Sequence, residues 1–214
     1  MKIKLSLVSA LIAMASSANA AVVAVDNVSN GLGDSAALYE NVDGTLVDGG
    51  IVAMGYFGSN NPSGDIADIT ATLADFTVLA TGVIGSPSFS LEGSYPGFVE
   101  AAAQDVGDLG TLNNPLIGKK LYAFVGNLST LASSTAYALY LVDTFSESQF
   151  TYLAQPFGIT PLIGSVDTIT TLSPAIVGGA SETYTTLKLV PVPEPSAALL
   201  GAVGALGLLR RRRN

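Results

Sequence analysis

The sequence predicts a mainly β fold: an antiparallel β-sandwich or a jelly-roll-like domain with one or two short helices. Roughly eight short runs of β-branched and aromatic residues recur along the middle of the chain, and glycine, proline, asparagine and aspartate turns separate them. Two of these runs, Lys120–Val125 and Ala136–Val142, are the most apolar, and the polar stretch between them suits a wide hairpin. We therefore expect Lys119–Val142 to form a β-hairpin at the centre of the fold.

The first predicted elements lie in the N-terminal half of the domain. Ala21–Val25 is rich in valine and predicts the first strand. After a stretch rich in turn residues, Gly44–Val47 predicts a short strand and Ile51–Phe57 a longer one. Asp65 is suited to a helix N-cap, and the apolar residues that follow it recur at helical spacing. Ile66–Ala74 is therefore predicted to be a short helix.

The remaining predicted elements are also short. Pro96–Ala103 is expected to form one or two helical turns, because proline is favoured near the start of a helix. The other β-prone runs are Phe76–Ala80, Pro87–Leu91, Tyr152–Leu153, Thr168–Leu172 and Thr183–Val190. The strands together predict a core that contains Ile51, Val52, Leu121, Ala123, Val125, Leu139, Leu141 and Leu187.

The N-terminal segment, residues 1–20, divides into three parts of different composition. Met1–Lys4 is basic, and Leu5–Met14 is apolar and expected to be helical. Ala18 and Ala20 then frame a small-residue A-x-A pattern, which is typical of a cleavage site. The segment therefore predicts a secretory signal peptide that is cleaved after Ala20.

The C-terminal segment, residues 191–214, also has three parts. It carries a motif of five residues: Val192, Pro193, Glu194, Pro195 and Ser196. The apolar run Ala197–Leu209 follows, with a predicted helix whose positions include Ala197, Leu200, Val203, Leu206 and Leu209. The chain then carries the basic cluster Arg210, Arg211, Arg212 and Arg213.

The apolar run is short for a membrane span. Thirteen helical residues rise about 20 Å in total, whereas a hydrocarbon core is about 30 Å thick. The prolines before it prevent the helix from extending upstream, because they lack a backbone donor. The arginines are expected to stay on the cytoplasmic side. The segment therefore predicts a transient membrane tether with a cytoplasmic anchor.

In order and spacing, the Pro193-Glu194-Pro195 motif, the apolar run and the arginine cluster resemble the PEP-CTERM sorting signal of exported bacterial proteins. Gly118–Asp143 also loosely resembles a stretch seen in many such proteins, and that similarity implies no activity. The resemblance of the tail implies that the chain is a substrate of an exosortase-like processing enzyme. It further implies residence in the inner membrane before processing, followed by display at the cell surface or release.

The segment between the two ends, residues 21–190, is predicted to be one acidic extracytoplasmic β domain. Residues 21–192 hold three lysines, Lys119, Lys120 and Lys188, against sixteen acidic residues, so their net charge is −13. Such a charge repels nucleic acid, whose affinity for proteins comes from basic side chains. Nucleic acid is therefore excluded as a partner, whereas polysaccharide is compatible with the expected location.

The composition also excludes several kinds of chemistry. The chain has no cysteine, so disulfides, thiolate metal sites and cysteine nucleophiles are excluded. It has no histidine, so it lacks the usual general base and cannot form a Ser-His-Asp triad. No cofactor is expected, although an oxygen-ligand calcium site remains open.

Acidic residues are the candidates for metal binding and for catalysis. An EF-hand starting at Asp26 is excluded, because its third and twelfth positions would be valine and alanine. A looser calcium site could draw on Asp34, Asp43 and Asp48, although turn-forming aspartate is the simpler interpretation. Asp65 with Asp68, and Asp105 with Asp108, are the closest carboxylate pairs for a hydrolase, and capped, solvated turns are the simpler interpretation there too.

Three functional classes remain after these exclusions. The resemblance of the tail favours a non-enzymatic exported protein of the cell surface or extracellular matrix. A carbohydrate-binding module is the alternative. Tyr122, Tyr137 and Tyr140 of the predicted hairpin would form its contact surface, although half-buried sheet aromatics are the simpler interpretation of these residues. A secreted carboxylate-based hydrolase is the third. No residue is assigned a catalytic role.

Overall fold

A computed structural model describes the central domain and the start of the C-terminal segment. The described residues are 20–27, 37–59, 61–85, 96–99, 101, 103–109, 114–146, 151–153, 159–172 and 181–193. The strands are β1 (Ala20–Ala24), β2 (Ala37–Glu40), β3 (Ile51–Phe57), β4 (Phe76–Val83), β5 (Gln104–Asp108), β6 (Lys120–Gly126), β7 (Ala136–Thr144), β8 (Thr151–Leu153), β9 (Ser165–Leu172), β10 (Ser181–Lys188) and β11 (Val190–Pro191). This part of the chain is mainly β, with one short helix, α1 (Ile69–Ala74).

The largest sheet has five strands in the order β11-β7-β6-β3-β4, and every neighbouring pair is antiparallel. The β6–β7 hairpin occupies its centre, as the sequence predicts. In the register, Phe124 lies between Ala53 of β3 and Leu139 of β7. The β-branched and aromatic composition of these strands suits this position, because such side chains pack well on a pleated surface.

Two smaller sheets have the orders β5-β1-β8 and β2-β10-β9. Each contains one antiparallel pair, but β1 pairs with β8 in parallel and β10 pairs with β2 in parallel. The expectation of a purely antiparallel domain is therefore wrong for these two pairs. The physical reason is that each parallel pair joins strands from distant parts of the chain, where the connection is long enough for a crossover.

The main core draws buried residues from the large sheet and from both small sheets. Its buried members from the large sheet include Val52, Met54, Leu121, Val125 and Tyr140, and those from the small sheets include Ala21, Val23, Tyr39, Tyr152 and Leu187. The alternation of side chains along each strand directs one set of residues to this face. Burial of this apolar surface is the principal force that holds the sheets together.

A second core, which we call the aromatic cluster, covers the opposite face of the large sheet. Its rings are Phe57, Phe76, Tyr122, Phe124 and Tyr137. Neighbouring rings lie 4.9–6.4 Å apart between centroids, in tilted or edge-to-face arrangements. The helical segment covers the cluster with Ile66, Ile69 and Leu73. Both faces of β6 and of the first half of β7 are thus buried, which accounts for their nearly continuous apolar sequence.

The predicted core is correct at six of its eight positions. The buried six are Val52, Leu121, Ala123, Val125, Leu139 and Leu187. Leu141 is 39% exposed, and Ile51 is half-buried, so these two assignments are wrong. Leu141 pairs with Tyr122 on the face of the aromatic cluster but is not one of its packed members.

The short helix is confirmed with its predicted cap. A 3₁₀ turn at Ile66–Asp68 leads into α1, and the Asp65 carboxylate accepts a hydrogen bond from the Ala67 amide at 2.9 Å. Gly44–Val47 is not a strand, because only the isolated bridge between Leu46 and Glu40 forms there. Pro87–Leu91 lies outside the described residues.

The helix predicted at Pro96–Ala103 does not form in the described residues of that segment. Gly97 has a φ of 82°, a left-handed conformation that suits glycine. The Asn27 side chain donates to the Gly97 carbonyl at 2.9 Å and accepts from the Val99 amide at 2.8 Å. These long-range bonds use the backbone groups that a helix would need, and the buried Asn27 is satisfied by them.

Candidate functional site

The C-terminal segment leaves the domain along the edge of the large sheet. Val190 pairs with Tyr137 and Pro191 with Ala136 in β11, and the Val192 amide donates to the Thr135 carbonyl at 2.9 Å. Val190 and Val192 also pack against the aromatic cluster. Proline is tolerated at this position because β11 is an edge strand. The first residue of the proline motif is therefore attached to the fold.

The connection between β6 and β7, residues 127–135, holds the end of β11 in place and is itself well ordered by hydrogen bonds. We call it the exit loop. The Asn127 side-chain oxygen accepts from the amides of Thr135 at 2.9 Å and Ala136 at 3.1 Å. The Tyr137 hydroxyl donates to the Ser134 carbonyl at 2.8 Å and also contacts the Leu131 carbonyl. The loop is thus fixed to the sheet at both ends, immediately beside the departing chain.

Most of the predicted sorting residues lie outside the described part of the chain. Only Val192 and Pro193 of the motif are described, and Pro193 is exposed. In the described ranges, no helix is both long and apolar enough to cross a membrane. At the other end, Ala18 lies outside the described residues, and Ala20 opens β1 by pairing with Asp108.

The aspartates proposed as calcium ligands do not form a metal site among the described residues. Asp43 accepts from the Thr45 amide at 3.0 Å and from the Thr45 hydroxyl at 2.7 Å, which is the geometry of an aspartate turn. These hydrogen bonds lower the pKa of Asp43. Asp48 is exposed, and Asp34 lies outside the described residues. Among the side chains that the structure describes, no three acidic groups gather as metal ligands.

The carboxylate pairs predicted for a hydrolase take part in local turns. Asp65 caps the helical segment, and Asp68 accepts from the Ser63 hydroxyl at 3.0 Å. Asp105 accepts from the Gly107 amide two residues later, at 2.7 Å. A groove of about 260 Å³ lies beside β4, and Val78–Thr81 and Gln104 line it. None of these lining residues is ionisable, so the groove does not unite the two acids that glycoside hydrolysis needs.

The tyrosines of the hairpin are buried rather than available to a ligand. Tyr122, Tyr137 and Tyr140 are 0–3% exposed. Tyr122 and Tyr137 belong to the aromatic cluster, and Tyr140 belongs to the main core. The alternative of a glycan-contact surface on these three residues is therefore wrong, because their side chains are buried in the two cores.

Two buried polar contacts were not predicted from the sequence. The hydroxyls of Tyr39 and Tyr140 lie 3.0 Å apart in the main core. Glu40 is buried, and it accepts hydrogen bonds from Thr186 at 2.6 Å and from Lys188 at 2.7 Å. The second contact joins β2 to β10 and pairs one of the three lysines of the domain. No local sequence signal links these residues, because each pair spans more than half of the described domain.

These contacts predict a loss of stability in alkaline solution. Burial raises the pKa of Tyr39 and Tyr140 above the ordinary value of 10.0, and the hydrogen bond to Glu40 raises that of Lys188 above 10.5. Groups with a raised folded pKa stabilise fully below their unfolded pKa and lose that contribution as the pH rises. Above pH 10 we expect each buried tyrosine to lower the free energy of unfolding by about 1.4 kcal/mol per pH unit.

Urea unfolding between pH 8 and pH 11.5 measures this slope. The double variant Tyr39→Phe and Tyr140→Phe should have a shallower slope above pH 10. Loss of the contact between the two hydroxyls also changes the free energy of unfolding of the variant at pH 8. Only the slopes of the free energy against pH are therefore compared. An unchanged slope would show that neither hydroxyl resists ionisation in the folded state.

In comparisons with known proteins, no family model, curated protein or solved structure matches the chain.

Proposed function

We propose that the chain is an exported, non-enzymatic protein of the cell surface or extracellular matrix, sorted and processed through its C-terminal segment. The observation that carries this proposal is the order of the tail: the Pro193-Glu194-Pro195 motif, the apolar run Ala197–Leu209 and the arginines Arg210–Arg213. The resemblance of this tail to a PEP-CTERM signal assigns an exosortase-like enzyme as the processing partner. The N-terminal signal peptide, cleaved after Ala20, supplies the export step.

The structure of the domain supports this proposal in two ways. β1 pairs with β5 from Ala20 and with β8 from Val22, so removal of residues 1–20 loses only the pair of Ala20 with Asp108. Val192 is the last residue of the tail with a described backbone contact to the domain, so the motif begins where the fold ends. Each proposed cut thus lies at a margin of the folded domain and spares its cores.

We further propose that the domain is a β-sandwich, with the large sheet as one layer and the two small sheets as the other. The main core between these sheets supports this assignment, because it draws buried residues from all three. The acidic charge of the domain suits an extracytoplasmic protein that must remain soluble. Polysaccharide is proposed as a partner on the basis of location, and no nucleic acid is expected.

The experiment that tests the proposed function is the replacement of Pro193, Glu194 and Pro195 by alanine in the native host. We expect the variant to fold, since the substitutions begin beyond the Val192 contact, but to stay in the inner membrane with an uncut tail. Pro191→Ala is the matched control, because this proline lies in β11 outside the motif, and it should be processed like the wild type.

A second variant separates anchoring from processing. Deletion of residues 197–214 should release a folded, unsorted domain, since it removes the membrane segment and the arginines. Normal trimming and export of the triple-alanine variant would show that the motif is only a linker, and the proposal would then be abandoned.

A further inference from the structure

The attachment of β11 limits how far the domain can move from the apolar run. The Val192 amide is bonded to Thr135, and five Cα–Cα steps separate Val192 from Ala197. Even when fully extended, these steps cover at most about 17 Å. The proline-rich linker therefore keeps the domain within a short distance of the apolar run.

This short distance places part of the domain at the membrane whenever the tail is inserted. The headgroup layer on each side of the hydrocarbon is about 6 Å thick. If Ala197 lies at the edge of the hydrocarbon, Val192 lies within about 17 Å of it, and so within about 11 Å of the headgroup surface, and Thr135 is hydrogen-bonded to Val192. The exit loop is the part of the fold directly beside them.

The composition of the exit loop fits this position. Its nine residues, Asn127–Thr135, include no charged side chain. Leu128 is 42% exposed, whereas Leu131 packs against the aromatic cluster. The loop therefore carries no charge that a membrane surface would repel, and the exposed Leu128 offers apolar surface, whose burial at the interface favours binding.

The exit loop contrasts with the acidic character of the rest of the domain. Asp143 lies near the far end of β7, away from the loop. Asp48 lies at the same end of the sheet as the loop, because Ile51 pairs with Gly126, but β3 is three strands from β11, about 14 Å across the sheet. A domain of charge −13 is repelled by anionic lipid over a screening length of about 8–10 Å. Contact through the exit loop brings no charged side chain of the loop itself to the lipid.

We propose that the exit loop, Asn127–Thr135, is the surface through which the domain contacts the lipid bilayer before the tail is cut. This inference rests on the proposed function, because it requires the apolar run to enter the membrane. The loop contact would fix the orientation of the domain and hold the Pro193–Pro195 motif at the membrane surface, where a membrane-bound enzyme can reach it.

Single-cysteine labelling tests the contact directly, because the chain has no cysteine of its own. The exported form, residues 21–214, is labelled at Leu128→Cys and incorporated into vesicles that carry a quencher on the lipid headgroup. Thr144→Cys is the matched control, since it is exposed and lies at the other end of β7, roughly 26 Å from Ala136. We expect quenching at position 128 to be severalfold stronger than at position 144.

Three further measurements make the outcome decisive. Ser129→Cys repeats the test at a neighbouring exposed position and should agree with position 128. A Gly/Ser spacer of about twelve residues between Val192 and Pro193 adds about 19 Å of reach, and it should lower quenching at 128 without reducing vesicle binding. The same chain without residues 197–214 reports how far binding depends on the tail.

The outcomes separate this inference from the proposed function. Tail-dependent binding with equal, weak quenching at 128 and 144 would overturn the loop contact and leave the proposed function standing. Binding that does not depend on residues 197–214 would overturn the proposed function and the loop contact together. Tail-dependent binding with selective quenching at 128 supports both.

Discussion

Replacement of Phe124 by alanine is expected to lower the free energy of unfolding by about 3–5 kcal/mol. Phe124 is fully buried at the middle of β6, and its ring meets those of Phe57, Phe76 and Tyr137 at centroid distances of 6.4, 5.5 and 5.6 Å. The alanine would leave a cavity in the aromatic cluster and remove three ring contacts, each worth about 0.5–1.5 kcal/mol beyond its buried area. The free energy of unfolding of an ordinary domain is about 5–15 kcal/mol, so this loss would be a large part of it.

Chemical unfolding of the exported form measures this effect. Leu141→Ala is the matched control on the same hairpin, because Leu141 is largely outside the packed cluster, and it should cost less than about 1 kcal/mol. Similar losses for the two variants would mean that the aromatic cluster contributes no more than a surface position, and the account of the second core would be wrong.

Gly55→Ala is the other substitution for which we expect a large effect, a loss of about 3 kcal/mol or more. A Cβ atom at this position would lie 2.1 Å from the Thr77 carbonyl oxygen and 2.9 Å from the Phe76 ring. Gly55 sits at the bulge where the β3–β4 register shifts, with Leu79 as the extra residue. The obstructing oxygen belongs to the backbone, so it cannot move without disturbing the edge of the sheet.

Gly58→Ala provides the control for this prediction. A Cβ atom there would also be too close to a neighbour, at 2.7 Å from the Asp75 carboxylate oxygen. That oxygen is at the end of a flexible side chain and can rotate away, at the expense of its bonds to Ser59. Thermal unfolding should therefore show a clearly smaller loss than for Gly55→Ala. Equal losses would indicate that the backbone clash is not what makes glycine necessary at position 55.

The parts of the fold that were predictable from sequence are those with a local physical signal. The arms of the central hairpin are long, apolar and β-branched, and Asp65 precedes a helical period, so both elements are confirmed. The parallel partners of β1 and β10 were not predictable, because pairing between distant strands leaves no local signal. Pro96–Ala103 has helical composition, but its backbone is bound by the distant Asn27.

Leu141 shows a different limit of sequence analysis. Both alternating sets of the hairpin are apolar, so alternation alone does not show where the covering layer ends. The position of the helical segment over the aromatic cluster, which decides the exposure of each residue, follows from tertiary packing.

The candidate site, like the fold, is only partly predictable from the sequence. The motif, the apolar run and the arginines are consecutive, so sequence alone suffices to propose a sorting tail. The sequence does not predict the attachment of Pro191 to β7 and of Val192 to the exit loop, because three nearby prolines favour a free linker. Position at the sheet edge explains the difference, since a strand that bonds on one side only tolerates proline.

The most direct test of the central claim, export followed by processing at the C-terminal motif, is the intact mass of the protein recovered from the cell surface or culture medium of its native host. Our account predicts a chain that starts at Ala21 and has lost the apolar run and Arg210–Arg213. Recovery of an exported chain that still starts at Met1, or that retains its arginines, would contradict it.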